Sequence, residues 1–133
     1  MKITADTNVL LRAYVADDVE QASAAVELLC NAEIVAVSLQ SLCEFVWVLD
    51  RQYQTSREDL SAAIRALLNI ENVVLNRPAV EAGLMVLDCG GDFADGVIAY
   101  DGSWLGGEIF VSFDKKAVKL LSAQGKSAHL LSC

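Results

Sequence analysis

The sequence predicts an α/β fold with a mainly parallel sheet covered by helices on both sides, on three observations. Short runs rich in β-branched residues alternate along the chain with longer stretches whose apolar residues recur at helical spacing. No linker, repeat or charge block divides the 133 residues, which are enough for one hydrophobic core and too few for two, so 1–133 reads as a single domain. Apolar residues make up 54% of the chain, with one Pro and eight Gly, which excludes a disordered or low-complexity class.

The elements follow in order. KITA (2–5) is a first strand, and Asp6 to Asn8 offer caps for a helix through Val15. Asp17 and Asp18 open a second helix whose predicted inner face is Val19, Ala22, Val26, Leu29 and Cys30. IVAV (34–37) is a strand, and Ser38 caps a third helix to about Tyr53. Thr55 and Glu58 form a capping box for a fourth, with an apolar stripe of Leu60, Ile64, Leu67 and Leu68. NVVL (72–75) is a strand, and Pro78 suits the first turn of a fifth helix carrying Val80, Leu84 and Leu87. Gly90 and Gly91 break the chain before a sixth helix from Asp92 to near Gly106. EIFVSF (108–113), a helix over 115–123, a turn at Gly125 and SAHLL (127–131) complete the pattern.

Composition narrows the function classes. No apolar stretch reaches the ~18–20 uncharged residues of a membrane helix, and the N-terminus lacks signal-peptide architecture, so a cytoplasmic protein is expected. Cys30, Cys43, Cys89 and Cys133 form no C-x-x-C pair, and His129 is the only histidine; buried free thiols are expected rather than a zinc site. The net charge of −8 is unfavourable for contact with phosphates. Metal-binding acids contribute to that total, and Lys115, Lys116, Lys119 and Lys126 concentrate positive charge locally.

Four carboxylates stand out because each lies in or just after an apolar run: Asp6, Glu44, Asp95 and Asp114. Folding is expected to carry them inward, where unpaired carboxylates are costly and several together call for a cation. Each also has a plainer role. Asp6 and Asp114 can cap helices, and of Asp92 and Asp95 the first suits the cap and the second, one turn on, a ligand. Glu44 is the only charged residue between Glu33 and Asp50, in a helix apolar nearly all round, which predicts burial. Its alternative is a place at the helix edge, reaching water. Strand-end acids lie where open parallel sheets bind ligands, and oxygen-only donors favour Mg²⁺ or Mn²⁺, as one or two ions suited to phosphodiester hydrolysis.

The opening I-x-x-D-T-N-V-L-L-R (Ile3–Arg12), the Ser38 to Glu44 spacing, D-F-A-D-G-V-I-A (Asp92–Ala99) and S-F-D-K-K-A (Ser112–Ala117) together resemble the PIN-domain ribonucleases, specifically the small VapC-like toxins of toxin–antitoxin modules. The resemblance implies a three-layer α/β/α sandwich and Mg²⁺- or Mn²⁺-dependent endonucleolytic cleavage of RNA. It makes Asp6, Glu44, Asp95 and Asp114 the acidic quartet with Asp92 accessory. Asn8 would orient Asp6, and the Ser112 hydroxyl would hold a carboxylate or water. Arg12, Lys115 and Lys116 are the candidate RNA contacts. It further implies a homodimer and a cognate antitoxin. The sixth helix departs from the family pattern, since Asp101, Gly102 and Ser103 stand where relatives are richer in Ala.

Two other classes compete. An aspartyl-phosphate phosphotransferase of the haloacid-dehalogenase type needs D-x-D-x-T, and position 8 is Asn. A catalytically silent binding module would use the acids as caps and Tyr14, Trp47, Tyr53 and Trp104 as an interface, although core packing is the expected role of Trp47.

Overall fold

The computed structural model describes all 133 residues, and the chain is α/β with every strand pairing parallel. It divides into two compact units, Met1–Asn76 and Arg77–Cys133.

The first unit contains β1 (Lys2–Thr4), α1 (Thr7–Val15), α2 (Val19–Asn31), β2 (Ile34–Ala36), α3 (Leu39–Arg51), α4 (Arg57–Leu68) and β3 (Val73–Val74). Its sheet runs β1-β2-β3, with Ile3 opposite Val35 and Val35 opposite Val73. Val35 is wholly buried at the centre, as a β-branched residue between two strands should be. Helix α1 packs against α2 and α3, and α3 against α4. Leu10, Leu11, Leu42, Phe45, Leu49, Leu60 and Ile64 form the core between them. The Asn72 side chain fixes the approach to β3, donating to the carbonyls of Leu29 (2.8 Å) and Ala32 (2.9 Å) at the end of α2.

Three sequence expectations change here. On α2 the buried positions are Ala22 and Ala25, with Leu28 and Leu29 half-buried; Val19, Val26 and Cys30 are exposed. The inner stripe follows the small residues, which let α2 approach α1 closely. The cap of α4 is Ser56, which accepts from the Asp59 amide at 3.1 Å, rather than Thr55. Gln54, two residues before that cap, takes a left-handed conformation (φ 51°). The four thiols are free, but Cys30, Cys89 and Cys133 are exposed and Cys43 only half-buried, because they lie on an outer helix face, after α5 and at the terminus.

The second unit contains α5 (Arg77–Asp88), α6 (Phe93–Trp104), β4 (Phe110–Ser112), α7 (Lys115–Ala123) and β5 (Ala128–Leu130). Strands β4 and β5 pair in parallel, with α7 packed on both and on α5. Phe110 and Ser112 are half-buried while Ile109, Val111 and Phe113 are exposed, the two-residue alternation of strand faces. Helix α6 continues through Asp101, Gly102 and Ser103 to Trp104.

Helices α5 and α6 meet at glycines. A side chain at Gly96 would collide with the backbone carbonyl of Ala82 and stand 2.8 Å from the Gly83 Cα, and one at Gly83 would stand 2.6 Å from the Phe93 ring. The glycine of the D-F-A-D-G motif is thus explained by close helix packing, which fixes the height and rotation of α6 and of the Asp95 beside it. Gly96→Ala is expected to destabilise the chain by about 1–3 kcal/mol or more through overpacking against backbone. Gly102→Ala, where nothing lies within 4 Å, should stabilise it by about 0.4–1 kcal/mol. Urea unfolding of the two variants beside the native chain checks both.

Candidate active site

Asp6 lies two residues after β1 and is the N-cap residue of α1, yet its side chain makes no capping hydrogen bond. Only its backbone carbonyl is engaged, accepting from Val9 (3.0 Å) and Leu10 (3.3 Å). By contrast Asp18, Ser38, Ser56, Asp92 and Asp114 all cap through their side chains. The capping explanation therefore fails for Asp6, whose carboxylate is left exposed at the carboxyl end of a parallel strand.

Thr7, next to it, is the residue that sequence reasoning missed. It is the chain's one buried polar residue, 4% exposed, and its hydroxyl donates to the Ser41 carbonyl at 3.4 Å. Ser41 lies one turn before Glu44 on α3, so the bond ties the start of α1 to the turn carrying Glu44. Asn8 is exposed in the same first turn.

Glu44 is not buried. Helix α3 buries Leu42, Phe45, Val46 and Leu49, and exposes Gln40, Glu44, Trp47, Asp50 and Arg51. Its apolar run is one-sided because positions 42, 45, 46 and 49 recur at helical spacing toward the core. The expectation that burial would force a cation onto Glu44 is corrected, and so is the core role for Trp47. Asp6 and Asp114 are exposed too, so burial bears on one acid of the four, Asp95.

Asp95 is half-buried in the first turn of α6. Burial, then the charge of Asp92, then that of Asp114, push its carboxyl up from 3.8 to about 6. Asp92 caps α6 by accepting from the Ala94 amide at 3.2 Å. Asp114 caps α7 through Oδ1, which accepts from Lys116 (2.9 Å) and Ala117 (3.2 Å). The Ser112 hydroxyl accepts from the Asp114 amide at 3.0 Å and so shapes the turn after β4, which leaves its own proton to donate. The second unit thus brings three acids into one electrostatic field at the start of α6 and the end of β4.

No three Asp, Glu, His or Cys side chains stand as a ready-made metal group. The donor chemistry nonetheless fits a hard divalent ion. The donors are oxygens only, no Lys or Arg offsets the field on Asp95, and the caps of Asp92 and Asp114 engage only Oδ1.

Of the candidate basic contacts, Arg12 donates to Asp17 at 2.9 Å. The Tyr53 hydroxyl, 3.1 Å from the other oxygen of Asp17, is the main influence holding that carboxyl below its ordinary range, with Arg12 adding to it. Lys115 and Lys116 are exposed at the start of α7, and the Lys116 ammonium lies against Gly90, before Asp92.

The sign of the Asp95 effect on stability is fixed. Its folded-state value lies above the ordinary one, so its contribution is fully present below pH 3.8 and is lost as pH rises through about 6. Solvent screens a half-buried carboxyl, so the amount is on the order of 1 kcal/mol. Asp95→Asn should therefore be more stable than the native chain above pH 6, with the difference closing toward pH 4. Urea unfolding at a series of pH values checks this, and Asp92→Asn should lower the Asp95 midpoint in a carboxyl NMR titration.

Comparison with known proteins adds a family. No curated protein matches the chain. A family model described as PIN domain matches residues 3–120, a span that takes in Asp6, Glu44, Asp92, Asp95 and Asp114. PIN domains are generally nucleases and typically use divalent metals. With a match over most of its length, the chain belongs to the PIN domain family.

Proposed function

We propose that this chain is a metal-dependent endoribonuclease, the toxin of a type II toxin–antitoxin pair. Asp6, Glu44, Asp95 and Asp114 are assigned to one or two Mg²⁺ or Mn²⁺ ions, with Asp92 accessory. The observation that carries the reading is the raised Asp95, a half-buried carboxyl opposed by two like charges inside a nuclease-family match. Such a cluster is relieved by a cation, whereas the caps made by Asp92 and Asp114 leave Asp95 facing two like charges.

A bound divalent ion would set positive charge against the scissile phosphate and make an attacking water more acidic. The chain's residues do the rest. Asp95, with a value of about 6, is mostly ionised at pH 7, so its carboxylate is ready to take a cation or a proton from water. Asp92 and Asp114 remain tied to helix amides and stay in place as charge is added. Thr7 holds the start of α1 against α3, steadying Asp6 and Glu44. Lys115, Lys116 and Arg12 are assigned to RNA phosphates, Arg12 exchanging Asp17 for the substrate. A cytoplasmic homodimer silenced by a cognate antitoxin completes the proposal, with both units in one functional PIN domain.

The silent binding-module reading retains one observation in its favour, since Tyr14, Trp47, Tyr53 and Trp104 are all exposed. Cleavage separates the two readings. RNA should be cut with Mg²⁺ or Mn²⁺ and left intact in EDTA, and Asp95→Asn should lose at least ~100-fold of the rate, the lower end of what one catalytic proton-transfer group contributes. The metal should raise the melting temperature of the native chain but not of Asp95→Asn. Metal-independent cutting, or full activity in the variant, defeats the mechanism. Growth arrest on inducing the native chain but not Asp95→Asn tests the toxin role. Lys115→Ala and Lys116→Ala should each weaken RNA binding and lower its salt slope by about one, while leaving the metal-dependent melting shift intact.

A further inference from the structure

Helix α3 presents three exposed residues in register: Glu44, Trp47 three positions on, and Arg51 four beyond that. At that spacing they lie on one helix face. Trp47 is 53% exposed, and the Arg51 guanidinium lies over its ring at 5.8 Å from the centroid. Arg51 also reaches Asp50, Nε to Oδ2 at 3.6 Å, in an ion pair exposed on both sides. Such a pair is weak, so a phosphate can replace the carboxylate. An indole with a cation at its face and a carboxylate one turn away offers a base a surface to stack on and its phosphate a partner.

We infer that Trp47, backed by Arg51, is a positioning contact that stacks an unpaired base of the RNA beside the cleaved phosphate. The inference rests on the nuclease reading for the role of Glu44, and on the geometry of α3 for the rest. Neighbouring side chains one helical turn apart have Cβ atoms about 5–6 Å from each other. A phosphate at Glu44 therefore leaves an adjoining base within reach of Trp47. Paired bases in an A-form duplex are stacked on one another and turn no free face outward. Stacking is also indifferent to base identity, so Trp47 selects for strandedness and leaves sequence choice to other contacts.

The chain has two tryptophans, Trp47 and Trp104, so Trp104→Phe isolates the Trp47 emission. The probe is an eight-residue oligouridylate in EDTA, free and paired with its complement. The single strand is expected to quench Trp47 and the duplex to leave it unchanged. In cleavage with Mn²⁺, Trp47→Ala should raise KM about 10-fold, with the loss falling on KM rather than kcat; Trp47→Phe should restore most of it, and Arg51→Ala should give a smaller rise. No quenching by the single strand, equal quenching by the duplex, or an unchanged KM in Trp47→Ala overturns the inference, the first of these pointing to a protein partner on this face. Quenching in a chain that never cuts RNA defeats the nuclease reading and leaves the stacking platform standing.

Discussion

The functional reading depends on the field around one carboxyl. A helix N-terminus favours a charged acid by about 0.3–1 kcal/mol, less than one pKa unit. Asp95 sits in the first turn of α6, where that effect should depress it, yet it rises from 3.8 to about 6. Burial and the charges of Asp92 and Asp114 therefore outweigh the helix. The neighbours are held near by their bonds to the amides that begin α6 and α7. Helix α6 cannot retreat without breaking its glycine contact with α5. Packing thus holds an unfavourable charge arrangement in place, and a divalent cation offsets it most directly.

Much of this was legible in the sequence, for physical reasons. Caps are local, so Asp18, Ser38, Asp92 and Asp114 could be assigned from a few residues each, and the alternation of strand and helix gave the parallel pairing. What escaped were quantities set by neighbours distant in sequence. Thr7, between two other cap-forming residues, reads as one more surface residue until α3 is placed against it. Thr55 and Ser56 both satisfy a capping pattern, and the pattern alone does not choose Ser56, the residue that caps α4. On α3 the signal was present and misread. Leu42, Phe45, Val46 and Leu49 already mark one face at helical spacing, which leaves Glu44, Trp47 and Arg51 on the other.

That exposed face bears on the hardest feature of the composition. A chain of net charge −8 with ten basic residues has little with which to attract a polyanion, and several of its cations already face acids: Lys2 with Glu33, Arg12 with Asp17, Arg51 with Asp50 and Arg77 with Glu81. Lys115, Lys116, Lys119 and Lys126 remain in the second unit, enough to position a strand and too few to bind one tightly. Stacking on an indole contributes independently of counterion release, so an acidic nuclease can gain affinity from Trp47 that it cannot gain from charge. An RNA-binding mode of this kind is less sensitive to salt than a basic groove, and it favours the unpaired segments where a phosphodiester is most accessible to attack.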